Sequence, residues 1–181
     1  MTQHIALLRA INLAGRNVVS MGKLRELLER LGLSGAQSLL NSGNLVFECD
    51  GRKPAEMERL LEEATAKHLK VETDYFVRTS KEWSQIIAAN PFRREAKEDP
   101  GHLLVVCLKK APAAAGVKAL QAAIRGREIV RAEGRQAYIV YPDGVGRSKL
   151  TAAIIEAKLG TRGTGRNWNT VLKLAAMACE D

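Results

Sequence analysis

Ser38-Leu39-Leu40-Asn41-Ser42-Gly43-Asn44-Leu45-Val46-Phe47-Glu48-Cys49 is the stretch on which the fold turns. Ser38 to Leu40 and Asn44 to Cys49 flank Asn41, Ser42 and Gly43, a cluster whose asparagine and glycine accept positive φ and reverse the chain. The stretch reads as a β-hairpin. Upstream of it, His4 to Ile11 (HIALLRAI) is a short apolar run that suits a buried strand. Ser20 then reads as an N-cap, Leu24, Leu27, Leu28 and Leu31 recur at helical spacing, and Gly32 ends that helix. Downstream, Pro54 suits a first helical turn, and Met57, Leu60, Leu61 and Ala64 share a helix face. Val71 to Arg78 (VETDYFVR) alternates and is rich in β-formers, giving a fourth strand. The order is β-α-β-β-α-β, the ferredoxin-like arrangement of two helices over one face of a four-stranded antiparallel sheet.

Beyond Arg78, Thr79 with Glu82 three residues on is a capping-box signature for a bridging helix, whose Trp83, Ile86 and Ile87 form an apolar face. Asn90 and Pro91 stop it, and Arg93 to Pro100 (RREAKEDP) reads as a charged, unpatterned loop between halves. The second half then repeats the order. Leu103 to Leu108 is a strand, and Pro112 through Val117, Leu120 and Ile124 a helix. Glu128 to Ala132 and Ala137 to Tyr141 form a hairpin around Glu133, Gly134 and Arg135. Leu150 to Leu159, led in by Ser148 as N-cap and closed by Gly160, is a second helix. A short strand near Thr161 to Gly165 completes the pattern. Asn169 or Thr170 can cap a C-terminal helix in which Val171, Leu174, Ala175 and Ala178 share a face. The expectation is an α+β chain of two ferredoxin-like units in tandem, each an antiparallel sheet with helices on one face, plus a bridging and a C-terminal helix. The first unit covers residues 1–79, the bridging helix and charged loop 80–100, and the second unit with the last helix 101–181.

The composition, 46% hydrophobic and 27% charged over 181 residues, suits a folded globular protein rather than a disordered one. No apolar run approaches the roughly 20 residues that span a bilayer, and the start of the chain lacks the order of a signal peptide. Both point to a cytoplasmic protein that does not engage membranes. Cys49, Cys107 and Cys179 are widely spaced and form no C-x-x-C pair, so they read as buried thiols, and His4, His68 and His102 are equally scattered. No metal site or cofactor is expected, and the oligomeric state is left open. The net charge of +8 is uneven: residues 1–79 hold 11 Lys or Arg against 10 Asp or Glu, whereas 80–181 hold 17 against 10. The basic second half suits phosphate, nucleic acid or another anionic partner, or serves as a solvated face.

Three polar connections carry the candidate chemistry. The first follows the opening strand and holds Arg9, Asn12, Gly15, Arg16 and Asn17, where backbone amides, a guanidinium and the next helix's dipole could converge on an anion. It matches neither the P-loop nor the G-x-G-x-x-G spacing. The second, Gly146-Arg147-Ser148-Lys149, places two cations at a helix N-terminus, a mismatch unless an anion is present. The third, Gly165 to Thr170, offers Arg166, Asn167 and Asn169, with Trp168 as a packing anchor. Asn44 in the first hairpin is a further orienting donor. Catalysis has less to stand on. Ser42 has no histidine placed to activate it, and Asp74, Glu133 and Asp143 are isolated. The chemistry therefore reads as binding of an anionic ligand, either a phosphorylated small molecule or a nucleic-acid backbone. The ligand residues are Arg9, Asn12, Arg16, Asn17, Asn44, Arg147, Arg166, Asn167 and Asn169. The alternative is an enzyme acting on a small phosphorylated or carboxylated substrate in a groove between the two units, with Arg9, Arg16, Arg147 and Arg166 converging as anion clamps. An RNA-recognition strand signature is absent, and 4% aromatic content leaves few stacking platforms for single-stranded bases.

Taken together, these motifs resemble a known family. Arg9, Ile11, Asn12, Gly15, Arg16 and Asn17 with Met21 and Leu24, then Ser42, Gly43 and Asn44 with Val46 and Phe47, then Asn90-Pro91-Phe92, and finally Arg166-Asn167-Trp168-Asn169-Thr170-Val171 with Lys173 and Leu174, resemble the bacterial family catalogued as domain of unknown function 1697. The closing R-N-W-N-T-V segment is the most specific part. Asn41 stands where glutamine is usual and Gly165 where alanine is common. The resemblance implies a cytosolic α+β protein; it implies no established activity, and no catalytic residue is carried over.

Overall fold

Residues 1–12, 15 and 17–178 are described by the computed structural model. Arg16 and Cys179, both singled out above, lie outside the described residues. The first half builds β1 (Thr2–Leu8), α1 (Met21–Arg30), β2 (Ser34–Leu39), β3 (Asn44–Cys49), α2 (Pro54–Leu69) and β4 (Tyr75–Thr79). Its strands pair antiparallel in the order β2-β3-β1-β4, with Ile5 opposite Val46 on one side and Arg78 on the other. Ala6 and Leu8, Leu45 and Phe47, and Tyr75 and Val77 alternate onto one face and pack with Leu24 and Leu28 of α1 and Met57 and Leu61 of α2. This is the period-two and period-3.6 match that the sequence pattern demands. Ile5 and Leu7, pointing the other way, are buried as well. The edge strand β4 is guarded by α2: Glu58 Oε1 accepts from Val77 N and Glu62 Oε1 from Tyr75 N, both at 2.9 Å. Amides that could otherwise template another strand are thereby occupied.

Two helices follow. α3 (Ser80–Ala88) begins with the expected capping box, Thr79 N donating to Glu82 Oε2 at 2.9 Å and Glu82 N to Thr79 Oγ1 at 3.1 Å. The charged loop expected at Arg93–Pro100 is instead α4 (Arg93–Glu98), closed by a 3₁₀ turn at Pro100–His102. Its residues carry no apolar period, but they are good helix formers, and Arg94 donates to Glu98 at 2.9 Å one turn on.

The second half builds β5 (Leu103–Leu108), α5 (Ala114–Ala123), β6 (Ile129–Glu133), β7 (Gln136–Val140), α6 (Ala152–Leu159) and β8 (Gly163–Asn167), then α7 (Trp168–Met177). The sheet order β6-β7-β5-β8 repeats that of the first half, again wholly antiparallel. Its core joins Val106, Leu108, Ala137, Ile139 and Tyr141 to Leu120 of α5 and Ile155 and Leu159 of α6. Two capping assignments shift. α6 is capped by Thr151, whose side chain accepts from Ile154 N, because Ser148 instead accepts from Leu150 N and donates to Glu128. α7 starts one residue earlier than its expected caps, with Asn167 Oδ1 accepting from Thr170 N at 3.1 Å. By contacts, residues 1–85 and the end of α7 from Lys173 form one compact unit and Ile86–Leu172 the other. Cys49 on β3 and Cys107 on β5 are buried free thiols. Among the described residues, no helix is long and apolar enough to cross a membrane.

Candidate functional site

The chain leaves β1 through a connection held by its own side chains. Arg9 N donates to Asp74 O at 3.0 Å, Thr73 Oγ1 donates to Arg9 O at 2.7 Å, and the Arg9 guanidinium pairs with Asp74 Oδ2 at 3.2 Å. Asn12 then acts as a staple. Its Nδ2 donates to Val19 O at 3.0 Å and to Asn41 O at 2.8 Å, and its Oδ1 accepts from Val19 N at 2.8 Å. One amide thus joins residue 12 to residue 19 and to the β2–β3 hairpin. Asn17 Nδ2 reaches Ala10 O at 3.4 Å. Ala10, Asn12 and Asn17 all hold positive φ, as does Leu40 across the gap at 60°. Asparagine tolerates this region, but for alanine and leucine it costs roughly 1–2 kcal/mol each.

The hairpin opposite is equally constrained. Gly43 sits at φ +80°, and a Cβ there would lie 2.8 Å from Leu8 Cβ and Ile11 Cδ1, so only glycine lets the turn approach β1. Asn44 is fully buried, its Nδ2 donating to Leu39 O at 2.9 Å and Ser42 Oγ at 3.0 Å. It fixes the turn.

Between the two loops and the start of α1 lies an open groove of about 750 Å³. Asn12, Ser20, Ser38 and Asn41 supply polar groups, and Val18 and Leu40, 69% and 59% exposed, form apolar rims. Among the described residues, Arg25, donating to Ser38 Oγ, is the single charged residue of the lining, and no carboxylate lines it. The first turn of α1 carries no acidic residue, and Ser20 Oγ takes the Lys23 amide at 3.4 Å. A helix start bearing cations and no acid is an electrostatic mismatch that an anion relieves.

In the second unit the expected residues are dispersed. Arg147 is exposed at the end of a 3₁₀ turn, and Asn169 is exposed on α7. Next to Arg147, the Ser148 hydroxyl donates to Glu128 and holds that carboxyl below the usual range. Arg166 donates to Thr164 Oγ1 at 2.8 Å and Gly165 O at 2.9 Å, and burial pushes its guanidinium down to about 10. Asn167 is occupied as the cap of α7, and Trp168 is buried. A depression of about 440 Å³ between α5 and the β6–β7 hairpin holds Lys118, Gln121 and Glu133 and none of the expected residues. Of those expected residues that are described, Asn12 is the one lining the first-unit groove, which Arg9, Asn17 and Asn44 do not. Arg25, Ser38 and Asn41 were missed. The available signal was the one noticed at Arg147 and Lys149: cations at a helix start, here Lys23 and Arg25 after the Ser20 cap.

A family model described as "Protein of unknown function (DUF1697)" matches residues 1–138, which include the groove and all its lining. The chain belongs to this family. Among solved structures it is similar to the conserved bacterial protein SP0830 from Streptococcus pneumoniae, at 21% identity over 98% of both chains and a TM-score of 0.76. That likeness establishes the shared α+β fold of two units. No curated protein matches the chain.

Proposed function

We propose that the groove at the start of α1 binds a phosphorylated small molecule, with Arg25 as the anion's charged partner. The observation that carries this reading is the lining itself, which among the described residues has one guanidinium, neutral hydrogen-bonding groups and no carboxylate to repel an anion. The α1 N-terminus adds a favourable dipole. Val18 and Leu40 suit an apolar portion of the ligand, such as a ring, since both are large, exposed and on the rim. The strained backbone at Ala10 and Leu40 fits a loop shaped for recognition, where such strain concentrates. The test is a thermal-shift screen against nucleoside mono- and diphosphates and sugar phosphates, followed by calorimetry. A ligand that binds only the native state raises Tm with concentration. A charge-assisted hydrogen bond contributes about 1.5–3 kcal/mol, so Arg25→Gln weakens such a ligand roughly 10- to 100-fold. A screen without hits, or a hit unaffected by Arg25→Gln, refutes the proposal.

A further inference from the structure

The sheet edges of this chain are guarded unequally. On β4 the amides of Tyr75 and Val77 are taken by Glu62 and Glu58 of α2, and on β8 the amide of Gly163 is taken by Glu156 of α6 at 3.2 Å. On β2 the register shifts between Ser34 and Gln37, an irregularity that interrupts an edge. β6, the remaining edge, keeps regular antiparallel register with β7, from Ile129 opposite Val140 to Glu133 opposite Gln136. Its Val130 O points away from β7 and accepts from Gln121 Nε2 and from Arg131, both at 3.0 Å. Main-chain groups alternate along an antiparallel strand, so Ala132 turns its N–H and C=O to the same open side. Among the described residues no side chain hydrogen-bonds to either group. Beside Ala132, the groove of about 440 Å³ against α5 is lined by Ala111, Pro112 and Val117, with Lys118 and Glu133 supplying one charge of each sign. α5 turns Ala114, Ala115, Ala119 and Ala122 to solvent, where the outer face of a surface helix is ordinarily polar.

We infer that the β6 edge is the seat of a second copy of this chain, added strand to strand across a two-fold axis at Ala132. In that register Ala132 exchanges both main-chain hydrogen bonds with the partner's Ala132. The flanking residues cross, Arg131 standing opposite the partner's Glu133 and Glu133 opposite the partner's Arg131, as a two-fold axis requires. Arg131 and Glu133 are both exposed and lie on one face of β6, so the strand is complementary in charge to itself. An axis at Arg131 would instead set two arginines directly opposite each other, which is destabilising. Gln121 on Val130 O ends the pairing at that residue, so the stretch is short and its register is fixed. The exposed alanines of α5 add apolar area beside the joint. A contact of this size makes a weak, concentration-dependent dimer rather than an obligate one.

The test is sedimentation velocity on the full chain across roughly 5 to 500 µM, a range set by the micromolar affinity that a small contact supports. The chain passes from monomer to dimer over this range, and hydrogen exchange at the Ala132 amide slows as the dimer forms. E133R and R131E each set like charges opposite one another twice and weaken association roughly tenfold or more, whereas R131E/E133R, which swaps the charges, restores it to within about threefold of the parent. Both positions are exposed, and restoration by the double variant is a result that a folding defect cannot give. E63R makes the same charge change on the exposed side of α2 and leaves association within about twofold. A monomer at every concentration overturns the inference and leaves the edge to a different partner. A dimer indifferent to E133R, a charge swap that fails to restore it, or an Ala132 amide whose exchange is independent of concentration overturns it equally.

Discussion

Removing the Asn12 side chain tests whether one amide shapes the groove. It makes three hydrogen bonds, to Val19 O, Asn41 O and Val19 N, each contributing about 0.5–1.5 kcal/mol net. Because part of this site faces solvent, the lower part of that range applies, and Asn12→Gly costs about 2 kcal/mol. Asn12→Ala loses the same bonds and also forces a Cβ into the left-handed region at φ 54°. That adds about 1–2 kcal/mol of strain and recovers roughly 0.5–1 kcal/mol of unfolded-state entropy relative to glycine. Alanine is therefore the worse substitution by about 0.5–1 kcal/mol, the reverse of its order in a helix. Urea denaturation gives the global value, and exchange of the Val19 amide, whose acceptor is Asn12 Oδ1, gives the local one. That amide exchanges at least tenfold faster in both variants, with an unchanged m-value marking an effect on stability and not on compactness. Equal stability of Asn12→Gly and the parent, or an alanine variant more stable than the glycine one, refutes the reasoning.

Two further perturbations probe the first unit. His4 is buried and stacked on Phe47, its Nε2 has no hydrogen-bond partner, and burial holds its pKa below 6.5 despite Glu82 and Asp50. The unfolded chain then binds the proton more tightly, so this contribution to stability is complete above about pH 6.5 and is lost as pH falls towards the lower folded value. Denaturation at pH 5 and pH 7 shows a larger loss in the parent than in His4→Gln, and parallel losses contradict it. Arg78, 2% exposed, lies 3.6 Å from Glu58 Oε1. Glu58→Ala costs about 3–5 kcal/mol by breaking this buried ion pair, and adding Arg78→Met restores part of it, as urea midpoints report; a double variant no more stable than Glu58→Ala alone refutes the pairing.

The topology was legible because it is written in apolar spacing: Leu24 and Leu28, Met57 and Leu61, and the alternation around Tyr75 and Val77 meet in one cluster. α4 was not, because Arg93–Glu98 buries no side chain and is helical by propensity and by the Arg94–Glu98 pair alone. The polar connections were recognised as connections, but spacing cannot show where an amide points. Asn12, Asn44 and Asn167 read as ligand donors and turn out to hold backbone, since a short polar side chain beside a turn finds main-chain partners first. Arg25 escaped notice for the opposite reason. On a helix it looked like solvated surface, and only the fold brings it to Ser38 of the neighbouring strand.

The pairing of loop ends shows how one architecture accepts different side chains at corresponding places. Main-chain groups make the bonds that fix each loop to its sheet, Leu8 to Gly43 and Leu108 to Arg135, so these bonds constrain the backbone and leave side-chain charge free. Gly43 is the exception, since Leu8 and Ile11 leave no room for a Cβ; at the corresponding place the second unit carries Arg135. The first unit could not place a cation there without pushing its hairpin off β1. Arg25 of α1 instead lines a groove beside the hairpin that Asn12 ties down. Steric room at the hairpin thus decides whether a side chain can stand there: none at Gly43 in the first unit, an arginine at Arg135 in the second.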